Sequence, residues 1–253
     1  MSQAYRPDRE LAGKVALITG GSRNIGRGVA RALAAGGAST MVNASKSEDE
    51  ARETIELIRS AGGTADYHLA DVTDPASVES LVAETIQRFG RLDILSINQT
   101  LRASDPLDRL TYENFRRVVE VSLDGTWLCC KAAAPHLARA GGGAIVIMGG
   151  TRGVTGSPGG SHVSSAKSAL VGLTRSLARE LADRRITVNC VHPFLIDTAR
   201  VAPGDAPRGA ESTLIGRLGT VDEVAALVRF LCGPDGGYIT GQNIFANGGA
   251  YMS

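Results

Sequence analysis

Two stretches hold the residues whose types and spacing suit chemistry. In "TGGSRNIGRGVARAL" (19–33) an apolar run breaks into a glycine-rich turn that opens a helical pattern. Gly20 permits a tight turn and Gly26 permits the helix to pack closely on the strand. Backbone N–H groups at the helix start then favour a pyrophosphate. Such a turn is weak evidence alone and much stronger directly after the first strand of a βαβ unit. In "GSHVSSAKSALVGLTRSLAREL" (160–181) an amphipathic pattern carries Lys167 near its start, with Val163 four positions before it. Neighbouring Ser164 and Ser165 read as small packing residues. The four cysteines, Cys129, Cys130, Cys190 and Cys232, form no C-x-x-C pair and read as buried structural thiols, so no metal is expected.

Short β-like runs alternate with longer helical patterns from end to end. Runs 14–20, 39–44, 64–70, 92–97, 144–148, 186–191 and 242–247 read as buried strands. Helices are expected near 26–36, 48–61, 75–89, 108–139, 161–183 and 221–232. Asp74-Pro75 offers an N-cap with proline at the first helical position, and Ser47/Glu50 and Thr220/Glu223 have capping-box spacing. Strands joined by crossover helices imply a parallel sheet of about seven strands covered on both faces, a doubly wound α/β fold. One domain is expected over 1–253. It has an N-terminal extension to about residue 12 and a lid at about 194–217, within which 197–217 reads as a mobile surface loop.

The chain has 253 residues, with 27 basic against 26 acidic side chains and a formal net charge of +1. That balance gives no electrostatic footprint for nucleic acid or an anionic membrane. The polar N-terminus lacks an apolar signal segment, and no apolar run is long enough to span a bilayer. A cytoplasmic protein acting on a small molecule is expected.

At the first turn the chain resembles the short-chain dehydrogenase/reductase family, of the 3-oxoacyl-[acyl-carrier-protein] reductase kind. The family fingerprint T-G-x-x-x-G-x-G is here Thr19, Gly20, then Asn24 at the middle glycine, then Gly26. Asparagine tolerates left-handed backbone angles, so the turn is expected to survive. The resemblance continues through "LTRSLARELADRRITVN" and "GRLGTVDEVAALVRFLCGPDGGYITGQNIFANGG", covering nearly the whole chain. It implies a Rossmann-type fold and a dinucleotide held by Gly20, Ser22, Arg23, Asn24, Ile25, Gly26, Ser45, Lys46, Asp71, Val72, Asn98, Lys167 and Thr198. The place of the NAD-selecting carboxylate is Ala44, followed by Ser45 and Lys46, with Arg23 in the phosphate loop. Without an acid, and with two cations, NADP(H) is favoured over NAD(H).

In the resembled family a tyrosine and a lysine one helical turn apart, a serine and an asparagine carry the reaction. The tyrosine gives its proton to the carbonyl oxygen as hydride arrives. Here Val163 stands at the tyrosine place, Gly150 at the serine place and Ser122 at the asparagine place; Lys167 is retained. The family's N-N-A-G is Ile97, Asn98, Gln99, Thr100. Its P-G is Pro193-Phe194, where a phenylalanine would crowd the nicotinamide. Thr151 would serve as a substitute donor if the loop shifted by one residue. His162 adjoins the tyrosine place, but helical neighbours point about 100° apart, so it does not simply fill it. His192 lies at a strand end on the same side of the sheet.

Three functions compete. The first is an NADP(H)-dependent oxidoreductase without the usual Ser/Tyr donors, in which ordinary carbonyl reduction is impaired. The second is a non-catalytic, nucleotide-sensing protein or inactive subunit. The third is a lyase or isomerase on the same fold. The resemblance also implies a homotetramer or dimer through the long helices and the C-terminal strand, or a hetero-oligomer with an active paralogue.

Overall fold

In the computed structural model, which describes residues 9–101, 103–198 and 210–252, the apolar runs form seven strands. These are β1 Val15–Thr19, β2 Ser39–Ala44, β3 Ala65–Leu69, β4 Ile94–Ile97, β5 Gly143–Met148, β6 Ile186–Pro193 and β7 Asn243–Ala246. All pair in parallel, in the order β3-β2-β1-β4-β5-β6-β7. Every residue of β1 and β4 is buried, as strands covered on both faces require. The two edges depart from the expected burial: most of β3 and all of β7 are only half-covered or open, because an edge strand lacks one neighbour.

The helices are α1 Asn24–Ala35, α2 Glu48–Ser60, α3 Pro75–Phe89, α4 Tyr112–Val119, α5 Gly125–Arg139, α6 Arg152–Thr155, α7 Ser161–Glu180 and α8 Val221–Cys232. Alternate strand residues serve opposite cores, following the two-residue period of a strand. Leu17, Leu95, Ile97, Ile145, Ile147 and Val188 pack with α3, α5 and α7. Ala16, Ile18, Ile94, Val146, Met148 and Val191 pack with α1, α2 and α8. Cys129, Cys130 and Cys190 are buried among these side chains, and burial pushes the Cys129, Cys190 and Cys232 thiols up to about 12. At neutral pH they are protonated packing groups.

Two local expectations are corrected. The helix expected over 108–139 begins at Tyr112, where Thr111 Oγ1 accepts from the Asn114 N–H, and it is interrupted by a π-turn at Glu120–Asp124. The widened ring closes through Gly125 N–H on Glu120 O, and the Thr126 hydroxyl donates to the Ser122 carbonyl at 2.6 Å. Nor is there a capping box at Ser47: Glu50 turns instead to the phosphate loop, accepting from Ser22 Oγ and Arg23 Nη1, each at 3.3 Å. The Asp74 cap and the Thr220/Glu223 box form as their spacing implied.

Asp93 fastens the start of the sheet. Its buried carboxylate accepts from Val15 N–H at 3.0 Å, Lys14 Nζ at 3.0 Å and both arms of Arg91 at 2.7 and 2.8 Å. Burial alone would raise its pKa, but these donors together outweigh it and hold the carboxyl below its usual range. Both cations reach solvent, so Asp93→Asn is expected to cost about 2 kcal/mol, below the range for a fully buried pair. A depressed carboxylate stabilises the fold above its unfolded pKa. Denaturant midpoints should therefore show the wild-type advantage at pH 7 and its decline below about pH 4.

Candidate active site

Strand order reverses between β1 and β4, and a cavity of about 790 Å³ opens at their C-terminal ends, where doubly wound sheets bind ligands. The phosphate turn forms its wall. Gly20 has φ +60° and Asn24 φ +49°, so asparagine does take the left-handed angle that the middle glycine would. A Cβ on Gly26 would lie 2.1 Å from the Gly20 carbonyl oxygen, which is why helix and turn touch there. Arg23 gives α1 no side-chain cap, leaving the first-turn N–H groups to a ligand or to water. All thirteen residues named above for the nucleotide, from Gly20 to Thr198, line this cavity.

Its charges are unevenly paired. Arg23 meets Glu50 at 3.3 Å, a partner absent from the sequence argument. Lys46 is exposed, with no ion pair within 4 Å among the described residues. Asp71 accepts from the Thr73 N–H at 2.9 Å and the Thr73 hydroxyl at 2.7 Å, bonds that hold its carboxyl below the usual range. Asn98 Nδ2 donates to Thr19 O, Ser96 O and Ser96 Oγ, while its Oδ1 is buried without a partner. An orphaned acceptor at a cavity wall suits a ligand hydroxyl.

On the other side of the cavity, Gly150, Thr151, Val163 and Lys167 come together. Val163 is half-buried on the first turn of α7. Lys167, one turn later, is buried and donates from Nζ to Met148 O at 2.7 Å. Nothing lies within 4 Å of a Cβ built on Gly150. The loop has not shifted to aim Thr151 at this space: its hydroxyl faces the His192 and Pro193 carbonyls, 3.4 Å from each. Ser122 and His162 are buried away from the cavity lining, and Ser122 Oγ and both His162 ring nitrogens have no partner. Phe194 and Thr198 both line the cavity, whereas residues 199–209 of the expected lid lie outside the described residues.

Gln99, in the loop already singled out after β4, lines the cavity, whereas Arg117 and Arg152 are among the lining residues that sequence reasoning passed over. Gln99 accepts from the Thr19 hydroxyl at 2.5 Å and reaches Thr126 Oγ1 at 3.5 Å, tying the loop after β4 to α5. Arg117 and Arg152 enter from α4 and α6. Polar residues on short or interrupted helices carry no periodic signal that would single them out.

Residues 20–251 match the family model described as enoyl-(acyl carrier protein) reductase. The 3-oxoacyl-[acyl-carrier-protein] reductase FabG of Staphylococcus aureus is 36% identical over 242 residues, covering 94% of this chain and 98% of the relative. FabG of Escherichia coli K12 is 36% identical over 243 residues, covering 95% and 98%. A short-chain dehydrogenase/reductase from Serratia marcescens superposes with TM-score 0.91 at 33% identity, covering 96% of this chain and 100% of that one. A metagenomic blue fluorescent protein in complex with NADPH superposes with TM-score 0.89 at 34% identity, covering 96% and 100%.

Proposed function

The chain belongs to the short-chain dehydrogenase/reductase family, and we propose that it binds a nicotinamide dinucleotide, NADP(H) ahead of NAD(H), without the family's phenolic proton donor. The observation that carries this is an aliphatic side chain, Val163, lining the cavity one turn before the buried Lys167. The cradle fits a dinucleotide: Gly26 has no room for a side chain, Asn98 Oδ1 awaits a donor, and about 790 Å³ lies within the usual range for ligand sites. When bound, the nicotinamide would supply hydride. Lys167 would hold the ribose, and Lys46, joined by Arg23 once it leaves Glu50, would pair with a 2′-phosphate.

Hydride addition to a ketone leaves an alkoxide that must gain a proton. Val163 has none to give, Gly150 offers no hydroxyl, and the Thr151 hydroxyl faces backbone carbonyls. Reduction of ordinary ketones is therefore slow, and the substrate is one whose reduction does not rest on a phenol. The chain acts as a single domain in the cytoplasm; no helix among the described residues is long and apolar enough to cross a membrane. Exposed Trp127 on α5, Phe230 on α8 and the half-covered edge strand β7 support assembly into dimers or tetramers.

Titration with NADPH and NADH, followed by dihydronicotinamide fluorescence, tests cofactor choice. NADPH is expected to bind tighter, and Lys46→Glu to weaken NADPH by at least about tenfold while sparing NADH. Equal affinity for both in the wild type would reject the preference. No saturable binding of either would reject the proposal.

A further inference from the structure

The wall at the reaction side of the cavity is made by three successive peptides after β5. Gly149 N–H donates to Val191 O at 2.8 Å, and Thr151 N–H to Pro193 O at 3.2 Å, so both are held by the backbone of β6. Between them, Gly150 N–H meets a side chain, Nδ1 of His192, at 3.2 Å. That imidazole is completely buried. Its Nε2 lies 3.0 Å from Oδ1 of Asn243 on β7, and its ring stacks on Phe245 with centroids 4.8 Å apart.

The orientation of the Asn243 amide assigns the tautomer. With its Oδ1, which only accepts, facing Nε2, the ring hydrogen is placed on Nε2 and Nδ1 is left as an acceptor. Nδ1 is also 3.2 Å from the Gly150 carbonyl, but two acceptors do not bond, so the N–H is its partner. Gly149 makes the room: a Cβ there would lie 2.6 Å from two atoms of the imidazole. Gly150 needs outside support, because it has no side chain of its own and glycine resists fixing more than any other residue.

We propose that His192 is a positioning residue, which fixes the Gly150 peptide, and with it the cavity wall through Thr151, by tying that loop to the edge strand β7. It touches neither substrate nor cofactor. Its effect passes through the orientation of one peptide.

The test is amide hydrogen exchange on the full chain, resolved by residue with NMR, comparing wild type with His192→Asn and His192→Gln. Asparagine places an amide at the level of Nδ1 and keeps an acceptor for Gly150. Glutamine reaches only the level of Nε2. Exchange at Gly150 is expected to quicken about tenfold in His192→Gln and by less than about twofold in His192→Asn, with Gly149 and Thr151 unchanged in both. Equal behaviour of the two variants, or acceleration shared by all three amides, overturns the proposal. If either His192 variant fails to fold, Gly149→Ala serves instead: displacing the ring must expose Gly150 selectively, and uniform or absent exposure counts against it.

A functional arm uses two probes. His192→Gln should weaken NADPH about tenfold and leave adenosine 2′,5′-bisphosphate, which fills only the adenine side, unaffected. Equal weakening of both probes, or of neither, contradicts a role at the nicotinamide wall. The exchange measurement needs no nucleotide, so it judges the clamp separately even if the chain fails to bind NADPH.

Discussion

Replacing Gly150 with serine and Val163 with tyrosine together is expected to raise NADPH-dependent reduction of a simple ketone about 10⁴-fold over the wild-type chain. A positioned general acid contributes roughly 10²–10⁴ and one oriented donor roughly 10²–10³, and such losses overlap within a single unit. The scaffold accepts both changes. A Cβ at Gly150 meets nothing within 4 Å, and the backbone there is not in the left-handed region. Val163 lines an open cavity, so a phenol has volume to enter, and Lys167 stands four residues on to lower its pKa. Gly150→Ser alone should recover far less, because the serine without the tyrosine still offers no proton, and Val163→Tyr alone should fall between the two. If the double variant binds NADPH yet stays inert, Phe194→Gly in its background is the next comparison, since Phe194 lines the same cavity. Activity appearing only in the triple variant would place the second obstacle at Phe194.

Gly26→Ala should be the most damaging substitution in the phosphate turn. The added methyl would sit 2.1 Å from the Gly20 carbonyl oxygen, a backbone atom that cannot rotate away. Relief requires the start of α1 to move off the turn, at a cost of about 3 kcal/mol in stability. A displacement of that size also misplaces the first-turn N–H groups, and NADPH affinity should fall by about 100-fold. Thermal unfolding and nucleotide titration of the same preparation check both. Asn24→Gly provides the contrast: it relieves a left-handed φ of +49° and should stabilise by a few tenths of a kcal/mol without loss of binding.

How much of this was legible in the sequence depends on the range of the interaction concerned. The parallel sheet was readable because β1 and β4 are apolar at nearly every position, which only double coverage permits. The phosphate turn was readable because the left-handed φ of Gly20 and the contact of Gly26 with the Gly20 carbonyl are set within a few residues, although a Cβ on Gly20 would also meet the distant Gln99 backbone. The π-turn at Glu120–Asp124 was not, since the apolar pattern runs through it and Thr126 repairs its carbonyl from the next turn. Glu50 had the spacing of a cap but was drawn across to Ser22 and Arg23, a choice made by the packing of α2 beside α1. His192 shows the same limit: its partners Gly150 and Asn243 are 42 and 51 residues away. In the candidate site, the pairing of Val163 one turn before Lys167 was visible in the chain, and both line the cavity. That Thr151 turns its hydroxyl to backbone carbonyls required coordinates.

One measurement bears most directly on the proposed lack of a phenolic donor: the rate at which the wild-type chain, saturated with NADPH, oxidises it in the presence of a 3-oxoacyl thioester. The expected result is stable binding with consumption about 10⁴-fold below that of the FabG relatives assayed alongside. Turnover matching theirs would mean that some other group delivers the proton, and the role assigned to Val163 would be wrong.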